Sequence, residues 1–285
     1  MLDVDLPSFE TVVIQNRAAD LDAVDAMLDR LAERERLPSD TMSPIRIVCD
    51  EVLANVIAHG FPDEAEHEIE VSIGVAEQWL VVTVSDDGIP FDPLAVAPPD
   101  TTQPLEQRSI GGLGIHLVRH LVDEVTYERR GDRNVLTLVK SVDRRLPAVE
   151  AGSAANVRPG AVGAGDTDER GDAQMEIRTR HVGDVLIADM VGRLDSRTAG
   201  PASTELNQIA QGVHGKLVLN VQGLEYVSSA GLRAILVAAK LVQVHGGAMK
   251  ICDANATVKQ VMKVSGTSSL INLYDTEKDA LAAFS

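Results

Sequence analysis

The sequence predicts an α/β protein of two domains, and three observations carry this. The chain has 285 residues, about twice the length of an ordinary domain. Residues 143–173, "DRRLPAVEAGSAANVRPGAVGAGDTDERGDA", have no apolar period and are dominated by Gly, Ala, Pro and charge, as in a flexible linker. The flanking halves differ in element order. Strands group together in the first, as in an α/β sandwich with helices on one face, and alternate with helices in the second, as around a mostly parallel sheet.

The first half opens with a strand at 10–16 and a helix at 21–35. A second helix, at 42–58, is mostly Ile, Val, Leu and Ala. Two alternating strands follow, "HEIEVSIGVA" and "WLVVTVSDD". Residues 88–110, rich in Pro and polar side chains, read as irregular. The helix "GLGIHLVRHLVDE" and strands near "VTYERR" and "NVLTLVK" close this half. The second half reads as strands "QMEIRTRHV" and "DVLIADMVG", a helix at 199–210, a buried strand "KLVLNVQ" and the helix "GLRAILVAAKLVQVH". It ends with the strand "AMKIC", the helix "ATVKQVMKVS", a short strand at 270–273 and the helix "EKDALAAF". No internal repeat links the halves.

Composition narrows the classes. Hydrophobic residues make up 45%, enough for two cores, and aromatics only 3%, so the cores rest on Val, Leu, Ile and Ala. No apolar run approaches the length of a membrane span. The acidic start "MLDVDLPSFE" lacks the basic region of a secretory signal. Two distant cysteines, Cys49 and Cys252, indicate a reduced cytoplasm rather than a disulfide scaffold. Residues 1–140 carry a net charge of −16 and residues 141–285 a net charge of −1. Such an acidic first half argues against nucleic-acid binding and would attract a basic protein partner.

Three clusters in the first half carry chemistry. In "DEVLANVIAHG", Glu51 and Asn55 lie four apart and share one face of an apolar helix, either as a solvated edge or as a site needing both groups. In "SDDGIPFD", Asp86, Gly88 and Pro90 end a strand and open a loop. In "SIGGLGIHLV", Gly111, Gly112 and Gly114 lead into a helix, where backbone N–H groups and the helix N-terminus favour an anion such as phosphate.

In order and spacing, these motifs resemble those of the Bergerat-fold ATPases shared by gyrase, histidine kinases and the anti-sigma factor serine kinases. The resemblance covers about 8–141 and implies ATP and Mg²⁺ as cofactors. It assigns Glu51 as general base, Asn55 as a Mg²⁺ ligand through its amide oxygen, and Asp86 as acceptor for the adenine amino group. Gly88 would let the base approach the backbone, while Gly112 and Gly114 would face the phosphates. Arg108, the sole basic residue between Asp87 and Gly111, is either the lid charge or a solvated loop residue. Pro90 stands where many relatives have Gly. The forty or so residues before the first motif contain no His, which sets the histidine kinases aside. His59, His116 and His120 read as structural.

In the second half, "LNVQGLEYVSSAGLRAILVAAK" resembles the STAS domain of anti-sigma factor antagonists, from about Gln174 to the C-terminus. Ser229 aligns with that family's phosphoacceptor, and Ser228 replaces the preceding Asp. Ser229 also suits a helix N-cap. "GRLDSRTAG", at 192–200, matches a strand end and loop of the same family. Together the resemblances imply a Bergerat-fold serine kinase domain at 1–142 and a STAS domain at 174–285. Such a cytoplasmic partner-switching regulator would control a sigma factor, be reset by a serine phosphatase and form a homodimer. Two alternatives stay open: a non-catalytic ATP-binding sequestration module, and a kinase for a separate STAS protein that uses its own STAS half as a docking or inhibitory element.

Overall fold

The computed structural model describes residues 9–76, 78–99, 112–142, 175–213 and 215–284. Arg108, Gly111 and the segment read as a linker lie outside the described residues. In the first domain, β1 (Glu10–Gln15), β2 (Glu68–Ala76), β3 (Trp79–Asp86), β4 (Glu124–Arg130) and β5 (Arg133–Ser141) form one antiparallel sheet ordered β1-β2-β3-β5-β4. Alternation along the strands sets its two faces. In register, Ile73, Val82 and Leu138 form one buried row and Val71, Val84 and Leu136 the next. The third row is Ile69, Asp86 and Asn134, so two polar side chains end the inward face. The opposite face carries a hydroxyl row, Thr11, Ser72, Thr83, Thr137 and Thr126, suited to water.

Helices α1 (Leu21–Glu35), α2 (Ser39–His59) and α3 (Leu113–Leu121) belong to this domain, and α1 buries Leu21, Val24, Met27, Leu28 and Leu31 from one face. α2 starts three residues before the predicted position 42. Pro38 is its N-cap, and Pro44 sits in the second turn.

The second domain has β6 (Glu176–Val182), β7 (Val185–Leu194), β8 (Lys216–Val227), β9 (Ala248–Cys252) and β10 (Leu273–Tyr274) in the order β10-β9-β8-β7-β6. Every pairing is parallel except β6 with β7. The central strand β8 is buried on both faces, as its apolar run requires. Helices α4 (Ala199–Gly212) and α5 (Ser229–Val244) pack together, and α6 (Ala256–Val264) packs against β8. α7 (Glu277–Ala282) seats Ala280 in a separate cluster with Val185, Ile187, Val218 and Cys252. The last strand begins at Leu273 rather than 270, because Gly266 (φ 70°) turns the chain into a 3₁₀ segment, Thr267–Ser269. Cys49 and Cys252 are buried free thiols.

The domains meet where α2 and α3 face β8, α5 and α6. Tyr226 is buried there, and its hydroxyl donates to the Arg46 carbonyl at 3.3 Å.

Candidate active site at the domain junction

A cavity of about 370 Å³ lies among α2, β3, β5 and α3. Val52, Val84, Ile115, Val118 and Leu136 give it apolar walls, and Asn55, Asp86, Asn134 and His59 supply polar groups. Such a space, mostly apolar with a few convergent polar atoms, suits a small molecule held by a few oriented hydrogen bonds.

Asp86 is held from behind. Its Oδ1 accepts from the Gly88 backbone N–H at 2.9 Å and from Asn134 Nδ2 at 2.8 Å. The Asn134 amide is fixed in turn, because its Oδ1 accepts from the Tyr127 hydroxyl at 2.8 Å and from Arg129 Nη1 at 2.9 Å. These bonds leave the second carboxylate oxygen of Asp86 available to a donor in the cavity. Gly88 is required by close approach, since a Cβ there would stand 2.5 Å from the Gly60 carbonyl oxygen. Arg119 on α3 donates to the carbonyls of Pro93, Leu94 and Val96, tying the loop beside the cavity to that helix.

Glu51 is only 5% exposed, so the polar line on α2 is not a solvated edge. Its two oxygens both meet the other domain. Oε1 accepts from the Ser229 backbone N–H at 2.5 Å, and Oε2 accepts from the Ser229 hydroxyl at 2.5 Å. Burial pushes the Glu51 carboxyl above its usual range, partly offset by the Ser229 hydrogen bonds. Gly114, in the first turn of α3, closes this junction. A Cβ on it would collide with Glu51 Oε2 and sit 3.4 Å from Ser229 Oγ and 3.5 Å from Asn55 Nδ2. Gly112 caps the helix at φ 76°, a left-handed conformation that favours glycine.

The turn bearing Ser229 is built for the contact. Ser228, fully buried, is the N-cap of α5, and its hydroxyl accepts from the Gly231 N–H at 3.2 Å. The capping side chain is therefore that of Ser228, not Ser229 as the sequence suggests. Ser229, as the first helical residue, is left to face Glu51. The Ser228 N–H donates to the Leu194 carbonyl at 2.9 Å, and Gly231 packs directly on Leu194.

Thus Glu51, Asn55, Gly114 and Ser229 come together, Asp86 and Gly88 stand across the cavity, and Gly112 starts the helix between. His59 lines the cavity, and His116 Nε2 donates to the Val264 carbonyl across the junction at 3.0 Å. The His120 ring lies tilted against that of His116, with ring centroids 4.1 Å apart and an interplanar angle of 41°. Sequence reasoning misses Asn134, Tyr127 and Arg129, and only the lone amide opening the apolar strand "NVLTLVK" signals them. It also misses Asp50, whose Oδ1 accepts from the Ser196 hydroxyl at 2.5 Å. Burial raises the Asp50 pKa to about 7, and neighbouring Glu51 and Asp195 add to the rise.

The chain matches the histidine kinase-like ATPase domain over residues 14–140 and the STAS domain over residues 176–280. It is 32% identical over 108 residues to an anti-sigma F factor antagonist from Paenibacillus polymyxa, spanning 38% of this chain and 92% of that protein. It is 28% identical over 118 residues to the serine/threonine-protein kinase BtrW of Bordetella bronchiseptica, spanning 41% of this chain and 83% of the kinase. The serine-protein kinase RsbW of Listeria monocytogenes serovar 1/2a is 32% identical over 102 residues, spanning 34% of this chain and 65% of that protein. Among the described residues no helix is long and apolar enough to cross a membrane. The chain therefore joins a histidine kinase-like ATPase domain, in its first half, to a STAS domain of the anti-sigma factor antagonist family in its second.

Proposed function

We propose that the chain is an ATP-dependent protein serine kinase of the anti-sigma type whose substrate is Ser229 of its own STAS domain. One observation carries this reading: the Ser229 hydroxyl donates to Glu51 at 2.5 Å across the junction, although the two lie 178 residues apart. In this reading Glu51 is the general base. Burial raises its carboxyl, which makes it a stronger proton acceptor than an exposed one. Ser229 Oγ gives its proton to Glu51 Oε2 and bonds to the terminal phosphorus of ATP, and the bond from that phosphorus to the bridging oxygen of the departing ADP breaks. The cavity holds the adenine, with the free oxygen of Asp86 accepting from its amino group. Gly112 and Gly114 leave the start of α3 open to phosphate. Asn55 offers its amide oxygen to Mg²⁺, which when bound offsets phosphate charge.

A phosphate on Ser229 adds a charge of about −2 beside Glu51. Repulsion would then release the STAS domain and free the kinase face for a sigma factor or another STAS protein. A serine phosphatase would restore the docked form. Incubation of the full chain with Mg²⁺-ATP, followed by phosphosite mapping, tests this. Phosphate on Ser229, lost in Glu51→Ala, is expected. No phosphate, or phosphate on other serines alone, overturns the reading.

A further inference from the structure

The loop after β7 joins the two domains by charge. Asp195 is 2% exposed, and its Oδ1 accepts from the N–H groups of Arg197 and Thr198 at 3.0 and 3.1 Å, so the loop is a fixed turn. From that turn Arg197 reaches the first domain. Its guanidinium pairs with Asp22 and, at 3.1 Å, with Asp25, both on α1, while Asp195 braces it at 2.9 Å. Arg193 stands over the Tyr226 ring at 4.5 Å, with Asp25 3.9 Å away. Between the two arginines, the Ser196 hydroxyl and N–H both donate to Asp50, the residue before Glu51. The same turn holds the acceptor, because the Leu194 carbonyl takes the Ser228 N–H. Arginines of a near-neutral domain thus meet aspartates of a strongly acidic one through one rigid loop.

We infer that Arg197, backed by Arg193, is a positioning residue. With Asp22 and Asp25 it forms a charge clamp that seats Ser229 at Glu51 and makes the kinase domain selective for a STAS domain with a basic residue at this loop position. The inference rests on the reading of Ser229 as phosphoacceptor. A STAS domain with a neutral or acidic residue in place of Arg197 would take from Asp22 its arginine and leave Asp25 only its longer pairings with Arg193 and Arg46, at 3.9 and 3.8 Å. Charge pairs at such a junction set register and exclude wrong partners.

The test uses the full chain with Mg²⁺-ATP in single turnover, at about 0.05 M and about 0.5 M salt, where the screening length falls from roughly 14 to 4 Å. At low salt Arg197→Glu slows Ser229 phosphorylation about tenfold, and Arg197→Lys stays within about threefold of the parent. The pair Arg197→Glu with Asp22→Arg recovers to within about threefold. Raising the salt slows the parent and speeds Arg197→Glu, a reversal of sign that general loosening would not produce. Small-angle scattering on the same samples reads docking without chemistry: the parent and the charge-swapped chain are compact, and Arg197→Glu is extended. A compact, fast Arg197→Glu chain overturns the clamp, as does failure of the swapped pair to recover compactness. A compact parent with no phosphate on Ser229, beside an extended Arg197→Glu chain, supports the clamp and refutes the kinase reading.

Discussion

Gly114→Ala separates folding from phosphotransfer. Gly114 lies in the first turn of α3, where alanine is ordinarily favoured by about 1 kcal/mol. Here its Cβ would collide with Glu51 Oε2, with Ser229 Oγ and Asn55 Nδ2 at 3.4 and 3.5 Å. Overpacking of this kind costs about 1–3 kcal/mol, so the net change in folding stability is small, about 0–2 kcal/mol. The collision falls on Glu51 and Ser229, the base and acceptor of the proposed reaction. Relief requires Glu51 or α3 to move by a fraction of an ångström to about 1 Å, and misplacement of that size lowers rates by about 10²-fold. Thermal unfolding measures the first quantity, and single-turnover labelling of Ser229 the second. The expected outcome is a folded, nucleotide-binding protein with transfer about 10²-fold slower. A folded variant that labels Ser229 at the parent rate would show that the contact of Glu51 with Ser229 is not the reacting geometry.

Three further outcomes follow from the same geometry. Glu51→Ala should lower transfer by about 10²–10⁴-fold while retaining nucleotide affinity in a calorimetric titration, and parent-rate transfer would remove Glu51 as the base. Asn134→Ala removes one of the two bonds that orient Asp86, takes the acceptor from the Tyr127 hydroxyl and leaves Arg129 only the Gly88 carbonyl, so ATP affinity should fall by about 1–3 kcal/mol, roughly 5- to 150-fold, with discrimination against GTP reduced; unchanged affinity and selectivity in titrations with both nucleotides would contradict the bracing role. The docked form should gain as pH falls. Burial raises Asp50 from 3.8 to about 7 and also raises Glu51, and a raised carboxyl stabilises in acid and loses that contribution as pH climbs through its folded value. Compactness by scattering should therefore increase from pH 8 to pH 6, less so in Asp50→Asn, and an increase in the opposite direction would refute the assignment.

What the sequence reveals is set by the range of each interaction. Glu51 and Asn55 are legible because four residues make one helical turn, and Asp86 and Gly88 because a strand end and its turn are local. Asn134 is not, because its pairing with Asp86 is a matter of sheet register across 48 residues. The two serines illustrate a finer limit. The sequence suits Ser229 to the cap of α5, and only the extended backbone at Ser228 (φ −89°, ψ 174°) gives that role to Ser228 instead. His116 reads as structural, yet its partner is a carbonyl of the other domain 148 residues away. Arg197 lies in a motif recognised for its fold, while its charge matters only once α1 of the first domain stands opposite.

Transfer to Ser229 within a single chain is most directly tested by the rate of its phosphorylation in the full chain across a hundredfold dilution, with saturating Mg²⁺-ATP. Tethered domains hold one another at about millimolar effective concentration, so the reaction should be first order with a rate constant independent of protein concentration. A rate constant that falls in proportion to dilution would mean that Ser229 meets Glu51 only on a second chain, and would contradict the account.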